Sequence, residues 1–189
     1  MMGLRDRREE RREGRRDERE TFGRRGSAER YQLRQRMISI GDDYWIEDES
    51  GARAYKVDGK ALRVRSTLDL EDAHGSTLCR IQARVLNVRD TMEIEGPDGG
   101  RLAVVRKALV SPLRERFKVD VEGADDWTVQ GNIVDHEYEI EADGRKIAEI
   151  SKKWFRLRDT YGVEVAPDVD PALVLAVTVA VDAMAHPRD

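Results

Sequence analysis

The chain has 189 residues, of which 38% are charged and 39% hydrophobic, and a formal net charge of -4. That length and apolar content suit one domain of ordinary size plus a tail. The single cysteine, Cys79, excludes a disulfide framework and makes a reducing, cytoplasmic compartment the expectation.

Residues 1–30 form one compositional unit, with 11 Arg, no Lys and 8 acids, a local balance of +3. Leu4 and Phe22 are almost its only large apolar side chains past the initial methionines, so it buries too little surface to offset ordering entropy and reads as a disordered tail. It has no apolar h-region and is too acidic for a transit peptide. Glu9 with Glu13 and Arg12 with Arg16 give mixed i,i+4 support to a transient helix. The tail reads either as plainly solvated or as an arm for phosphate-bearing partners.

From Tyr31 to Val165 the hydrophobic period is two. In residues 61–71 Leu62, Val64, Leu68 and Leu70 oppose Arg63, Arg65, Thr67 and Asp69. In 77–85 Cys79, Ile81, Ala83 and Val85 oppose Arg80, Gln82 and Arg84, so Cys79 reads as a small buried hydrophobe. In 116–122 Phe117, Val119 and Val121 oppose Lys118, Asp120 and Glu122, and in 137–142 Tyr138, Ile140 and Ala142 oppose three glutamates. These are half-buried antiparallel strands, wet on one face. Glu49-Ser50-Gly51, Asp58-Gly59, Gly96–Gly100 and Asp143-Gly144 punctuate them as hairpin turns, and Ser111-Pro112 as a bend. About eleven or twelve strands with short turns predict a sandwich or a closed barrel.

The chain then changes character. From Ala172 to Ala185 only Thr178 and Asp182 are polar. Asp170 is a good N-cap, Pro171 suits the first helical position and Pro187 supplies a stop, so a helix is predicted over about 171–185. It is apolar on all sides, through Leu173, Val174, Leu175, Val177, Val179, Val181 and Met184, and must be surrounded by protein or lipid. Fifteen residues rise roughly 22 Å, short of the about 20 residues a membrane span needs. Asp182 would cost roughly 3 kcal/mol near a bilayer centre. The expectation is no transmembrane segment, but a helix threaded through a β-barrel.

Residues 154–184, WFRLRDTYGVEVAPDVDPALVLAVTVAVDAM, resemble the C-terminal end of the LURP-one-related family, with Asp159, Tyr161, Val163, Val165, Asp170, Ala172 and Leu173 at the family's motif positions. Residues 31–62 are similar to its opening hairpin, with Tyr55, Val57 and Gly59 matching "Y-x-V-x-G". The resemblance covers about residues 31–186. It implies a mainly β, tubby-like and scramblase-like fold: a twelve-stranded antiparallel barrel around a buried C-terminal helix.

What the resemblance implies about ligands is uneven. Scramblases carry an acid-rich calcium segment, D-A-D-N-F-G. The matching Leu157-Arg158-Asp159-Thr160-Tyr161-Gly162 keeps only Asp159 of its two acids and adds a cation, so no metal site is expected beyond Asp159 as the one candidate ligand. Tubby domains bind phosphoinositides through surface Lys and Arg, and the matching candidates are Lys152, Lys153, Trp154, Arg156 and Arg158. If this segment is a strand, Lys152, Trp154, Arg156 and Arg158 share one face, and a Trp among cations suits an anionic membrane surface.

No catalytic signature accompanies them. His74, His136 and His186 have no metal-ligand spacing. Asp135-His136-Glu137 reads as a solvated loop or strand end, and Trp45, Trp127 and Trp154 read as packing residues. There is no nucleophile-elbow, C-x-x-C or P-loop pattern. The expectation is therefore a binding or scaffold domain, not an enzyme and without a cofactor. Its expected partner is anionic lipid or an unidentified protein. The alternative is nucleic-acid or protein binding through the Arg-rich tail, with the barrel as platform.

Overall fold

The computed structural model describes residues 28–34, 44–59, 67–84, 91–108, 116–154 and 160–186. The tail expected over residues 1–30, the Ser111-Pro112 bend and the Pro187 stop lie wholly or almost wholly outside these residues.

Twelve strands follow one another along the chain. They are β1 (Glu29–Arg34), β2 (Tyr44–Asp48), β3 (Arg53–Asp58), β4 (Thr67–Asp72), β5 (Thr77–Ala83) and β6 (Thr91–Glu95). The second half comprises β7 (Arg101–Ala108), β8 (Arg116–Val121), β9 (Trp127–Asn132), β10 (Glu137–Ala142), β11 (Arg145–Ser151) and β12 (Thr160–Val165). Each pairs antiparallel with its sequence neighbours, and β1 closes on β12 from Glu29↔Val165 to Arg34↔Thr160. The result is a closed barrel with no free sheet edge among the described residues.

Alternation makes the wall. Phe117 and Val119 of β8, Tyr138 and Ile140 of β10, and Cys79 and Ile81 of β5 are buried, whereas Lys118 and Arg80 are exposed. The Cys79 thiol is pushed up to about 12, chiefly by burial, which keeps it inert at neutral pH. Outside, charges pair across neighbouring strands. Arg30 meets Glu164 at 2.7 Å, Lys56 meets Glu71 at 3.7 Å, and Arg106 pairs with Asp120. Asp69 departs from the expected wet face: it is fully buried, with Arg80 bonded to it at 2.8 Å, and Asp69 in turn raises the guanidinium's pKa. The aliphatic stem of an arginine can cover a carboxylate while its head stays in water.

Inside runs one helix, α1 (Pro171–Ala185). Asp170 caps it, its carboxylate accepting from the Ala172 N–H at 2.9 Å, and Pro171 occupies the first turn. Every residue from Val174 to Asp182 is buried, as is Met184; Leu173 is partly buried at the helix entrance. Thr178 satisfies its hydroxyl by donating to the Val174 carbonyl at 2.9 Å. A helix apolar all round meets wall residues on every side, and it packs against β5, β6, β7 and β12 among others. No helix among the described residues is long and apolar enough to cross a membrane.

Strand direction distinguishes the two ends of the barrel. At one, the hairpin end, short turns join β2 to β3, β4 to β5, β6 to β7, β8 to β9 and β10 to β11, and α1 begins there. At the other, the loop end, most connections are longer, over 35–43, 59–66, 84–90, 109–115 and 152–159, with only 133–136 short. Asp58-Gly59 is therefore not a tight hairpin turn: β3 stops at Asp58 and β4 resumes at Thr67. Residues 61–66, expected to extend β4, lie outside the described residues.

Leu175→Ala removes a fully buried side chain from the middle of a packed helix. It is expected to lower the unfolding free energy by about 2–5 kcal/mol, read from the midpoint of urea denaturation.

Candidate functional site

By sequence, the connections at the two ends differ in charge. The connections of the hairpin end hold Glu49, Asp98, Glu122, Asp125, Asp126, Asp143, Asp168 and Asp170, with no Lys or Arg. Several acids here have structural work. Asp48 accepts from the Ser50 hydroxyl at 2.6 Å and the Ala52 N–H at 3.0 Å, and Asp72 from the Ser76 N–H at 2.8 Å. These hydrogen bonds hold both carboxyls below their ordinary range. Asp168 is lowered likewise by Arg145, 2.8 Å away. The six connections of the loop end hold 11 Lys or Arg against 6 Asp or Glu in their sequences.

The described part of the loop end is built around Glu137, the first residue of β10. Its carboxylate accepts from the Ser151 hydroxyl at 3.0 Å, the Lys152 N–H at 3.1 Å and the Lys153 ammonium at 3.0 Å. Ser151 Oγ in turn accepts from the Lys153 N–H at 3.1 Å. β11 consequently ends at Ser151, and Lys152–Trp154 forms a 3-10 turn. The alternation expected from a strand does not apply to Lys152 and Trp154, because the Lys152 N–H bonds to Glu137 and the Lys153 N–H to Ser151 Oγ, turning the chain out of the sheet. Lys153 and Trp154 are exposed and Lys152 half-buried. Arg156, Arg158 and Asp159 lie outside the described residues. Of the other tryptophans, Trp127 is buried and Trp45 packs under Arg53, 4.7 Å from its ring. Trp154 is 39% exposed, in a turn that packs against β12.

A second constellation lies inside the bore near the same end. Asp182, the one charged residue of α1, receives the Tyr161 hydroxyl at 2.6 Å on one oxygen. Its other oxygen lies 3.0 Å from His136 Nε2, without hydrogen-bond geometry. The His136 ring sits 4.3 Å from that of Tyr161 and stacks on His186 at 5.6 Å. Burial, then the Asp182 charge, raises the pKa of Tyr44, Tyr138 and Tyr161, so these phenols stay protonated. His136 is thus not in a solvated loop, as its charged neighbours suggest, but 1% exposed. It takes a left-handed φ of 53°, at the end of a turn closed by its N–H to the Ile133 carbonyl. Gly131 permits this approach. Its φ is 140°, and a Cβ there would lie 2.6 Å from the Tyr138 Cα. With its groups shielded from solvent, the cluster anchors the helix inside the wall. Among the described residues no group of three His, Cys, Asp or Glu is placed to hold a metal ion.

A closed antiparallel barrel filled by its own C-terminal helix defines a tubby-like architecture. The chain belongs to the LURP-one-related family, whose model matches residues 29–182. Among solved structures it is similar to the X-ray structure of an Arabidopsis thaliana protein, with a TM-score of 0.64 and 16% identity over 84% of this chain and 92% of that one. At that identity the likeness is one of fold. Comparison with curated proteins finds no match.

Removing the anchor should be costly. Asp182→Ala leaves the buried Tyr161 hydroxyl without its acceptor and is expected to cost about 1–3 kcal/mol, and Tyr161→Phe, losing one charge-assisted bond, should cost about 1.5–3 kcal/mol; both are read by denaturant titration. All five tyrosines have raised pKa values. The stability they contribute is complete below the unfolded value of about 10 and is lost as pH rises above it. Phenolate absorbance at alkaline pH should therefore appear together with unfolding, not as an independent step near pH 10.

Proposed function

We propose that the protein is a non-enzymatic binding module of the cytoplasm that docks on anionic phospholipid surfaces, phosphoinositide-bearing ones among them. The observation that supports this most directly is the charge separation along the barrel axis. Along the wall, Lys and Arg are largely matched by acids on the next strand, and such exposed pairs leave little field. By sequence the loop-end connections instead have a surplus of five positive charges, with Lys152, Lys153, Arg156 and Arg158 among their cations, although Lys153 is paired with Glu137 and Arg84 with Glu93. A cation near an anionic leaflet gains about 1 kcal/mol, and the gain falls off within a Debye length of about 8 Å.

That decay makes a net charge of -4 compatible with docking on an anionic surface. Strands of six residues span about 20 Å, so the acids of the hairpin end stand more than two Debye lengths from a membrane touching the loop end. The filled bore supports a surface function: α1 occupies the space where a barrel of this size would otherwise hold a ligand.

The test is co-sedimentation of the full-length chain with vesicles of neutral lipid alone or with phosphoinositide added, at low and physiological salt. Binding is expected only to the anionic vesicles. Lys152→Gln combined with Lys153→Gln should weaken it roughly thirtyfold, from about 1 kcal/mol per cation. Equal sedimentation with neutral vesicles, or none with either, would sink the reading.

A further inference from the structure

We infer that the barrel wall opens at one seam, the joint between β1 and β2, and that this transient opening is the route by which water reaches Asp182. The inference does not depend on the lipid reading.

The seams of the barrel are unequal. β1 and β2 pair at two positions, Tyr31↔Asp48 and Gln32↔Glu47. Every other seam has at least four paired positions, and β1 itself pairs with β12 at six. Both strands run on past their last mutual pair, towards the loop end. Leu33 and Arg34 remain paired with Tyr161 and Thr160 of β12. Tyr44, Trp45 and Ile46 remain paired with Val57, Lys56 and Tyr55 of β3. Each strand is therefore fixed on its outer side, while Leu33 and Arg34 are not paired with Tyr44–Ile46.

Side chains sharpen the contrast. Arg30 and Glu164 tie β1 to β12, Lys56 and Glu71 tie β3 to β4, and Arg80 and Asp69 tie β4 to β5. Among the described residues no ion pair joins β1 to β2. Tyr31 does meet Tyr55 edge-on, 5.5 Å between ring centroids, but in the half where the two backbone pairs already hold. The seam is thus fastened at the hairpin end and unfastened at the loop end.

The unfastened half covers the polar cluster. Leu33 and Ile46 face the bore, 1% and 0% exposed. Tyr161 stands opposite Leu33 and donates to Asp182. Tyr44, at the start of β2, also feels the Asp182 charge. Parting β1 from β2 uncovers these groups while α1 keeps its packing on β5, β6 and β7. An opening that breaks few contacts needs less free energy than global unfolding. Water entering here also rehydrates a buried carboxylate, which offsets part of the cost of exposing Leu33 and Ile46.

The experiment places a thiol under this seam and an equivalent one under a well-paired part of the wall. Ile46→Cys is compared with Ile140→Cys in β10, which is likewise 0% exposed and pairs at six positions with each of its neighbours. The native Cys79 thiol, buried in β5, gives the background. N-ethylmaleimide should label the full-length Ile46→Cys chain more than about tenfold faster than the Ile140→Cys chain, at a rate that low urea leaves unchanged. Deuterium uptake by the unaltered full-length chain gives a second reading that no substitution can disturb. Residues 44–48 should exchange through an opening that low urea does not accelerate, and residues 137–142 through one that it does. Equal labelling of the two variants, or exchange of both segments only through the urea-sensitive opening, would overturn the inference.

Discussion

A helix with no polar face has to be enclosed, and this requirement organises the rest of the molecule. Val174 through Asp182 are all buried. A single flat sheet covers one side of a helix; a sheet closed on itself covers every side, which is why β1 must find β12 across the whole length of the chain. Once the bore is filled with Leu, Val and Ala, the barrel has no use for polar groups inside except where the helix brings one. It brings Asp182, and the chain answers with Tyr161 and His136. An isolated carboxylate at that depth would cost several kcal/mol, so the cluster is the condition on which an otherwise greasy helix carries an acid.

The same enclosure sends function outward. With the interior occupied, recognition is left to the wall and the ends. The wall neutralises itself strand by strand, and the ends do not. Asp48, Asp72 and Asp98 cap N–H groups of their own turns, which accounts for part of the acidity of that end. The connections of the opposite end are richer in Lys and Arg by sequence, and on the proposed reading that is how a chain of net charge -4 meets an anionic surface.

Much of the architecture was legible beforehand. The alternation in residues 77–83, 116–121 and 137–142 gave strands that the structure reproduces, and Asp170-Pro171 placed the start of α1. The misreadings came where a tertiary contact overrode a local pattern. Asp69 was assigned to water by alternation but lies beneath Arg80. Lys152–Trp154 continued a strand-like run until Glu137, fourteen residues before Ser151, capped the turn. His136, between two acids, looked solvated. One signal pointed to it: an acid in an apolar helix requires a partner, and Gly131 marks a close backbone approach nearby.

By itself the sequence determined the strands, the caps and the need to surround one helix, because these follow from periodicity and from the chemistry of neighbouring residues. Only the tertiary structure decided which connections share an end, and so that Glu49, Asp98, Asp125, Asp143 and Asp168 stand at the end opposite Lys152 and Lys153. It also decided that Asp182 meets His136 and Tyr161. These facts depend on the direction and register of strands that are distant in the chain but hydrogen-bonded in space, a pairing no local pattern encodes.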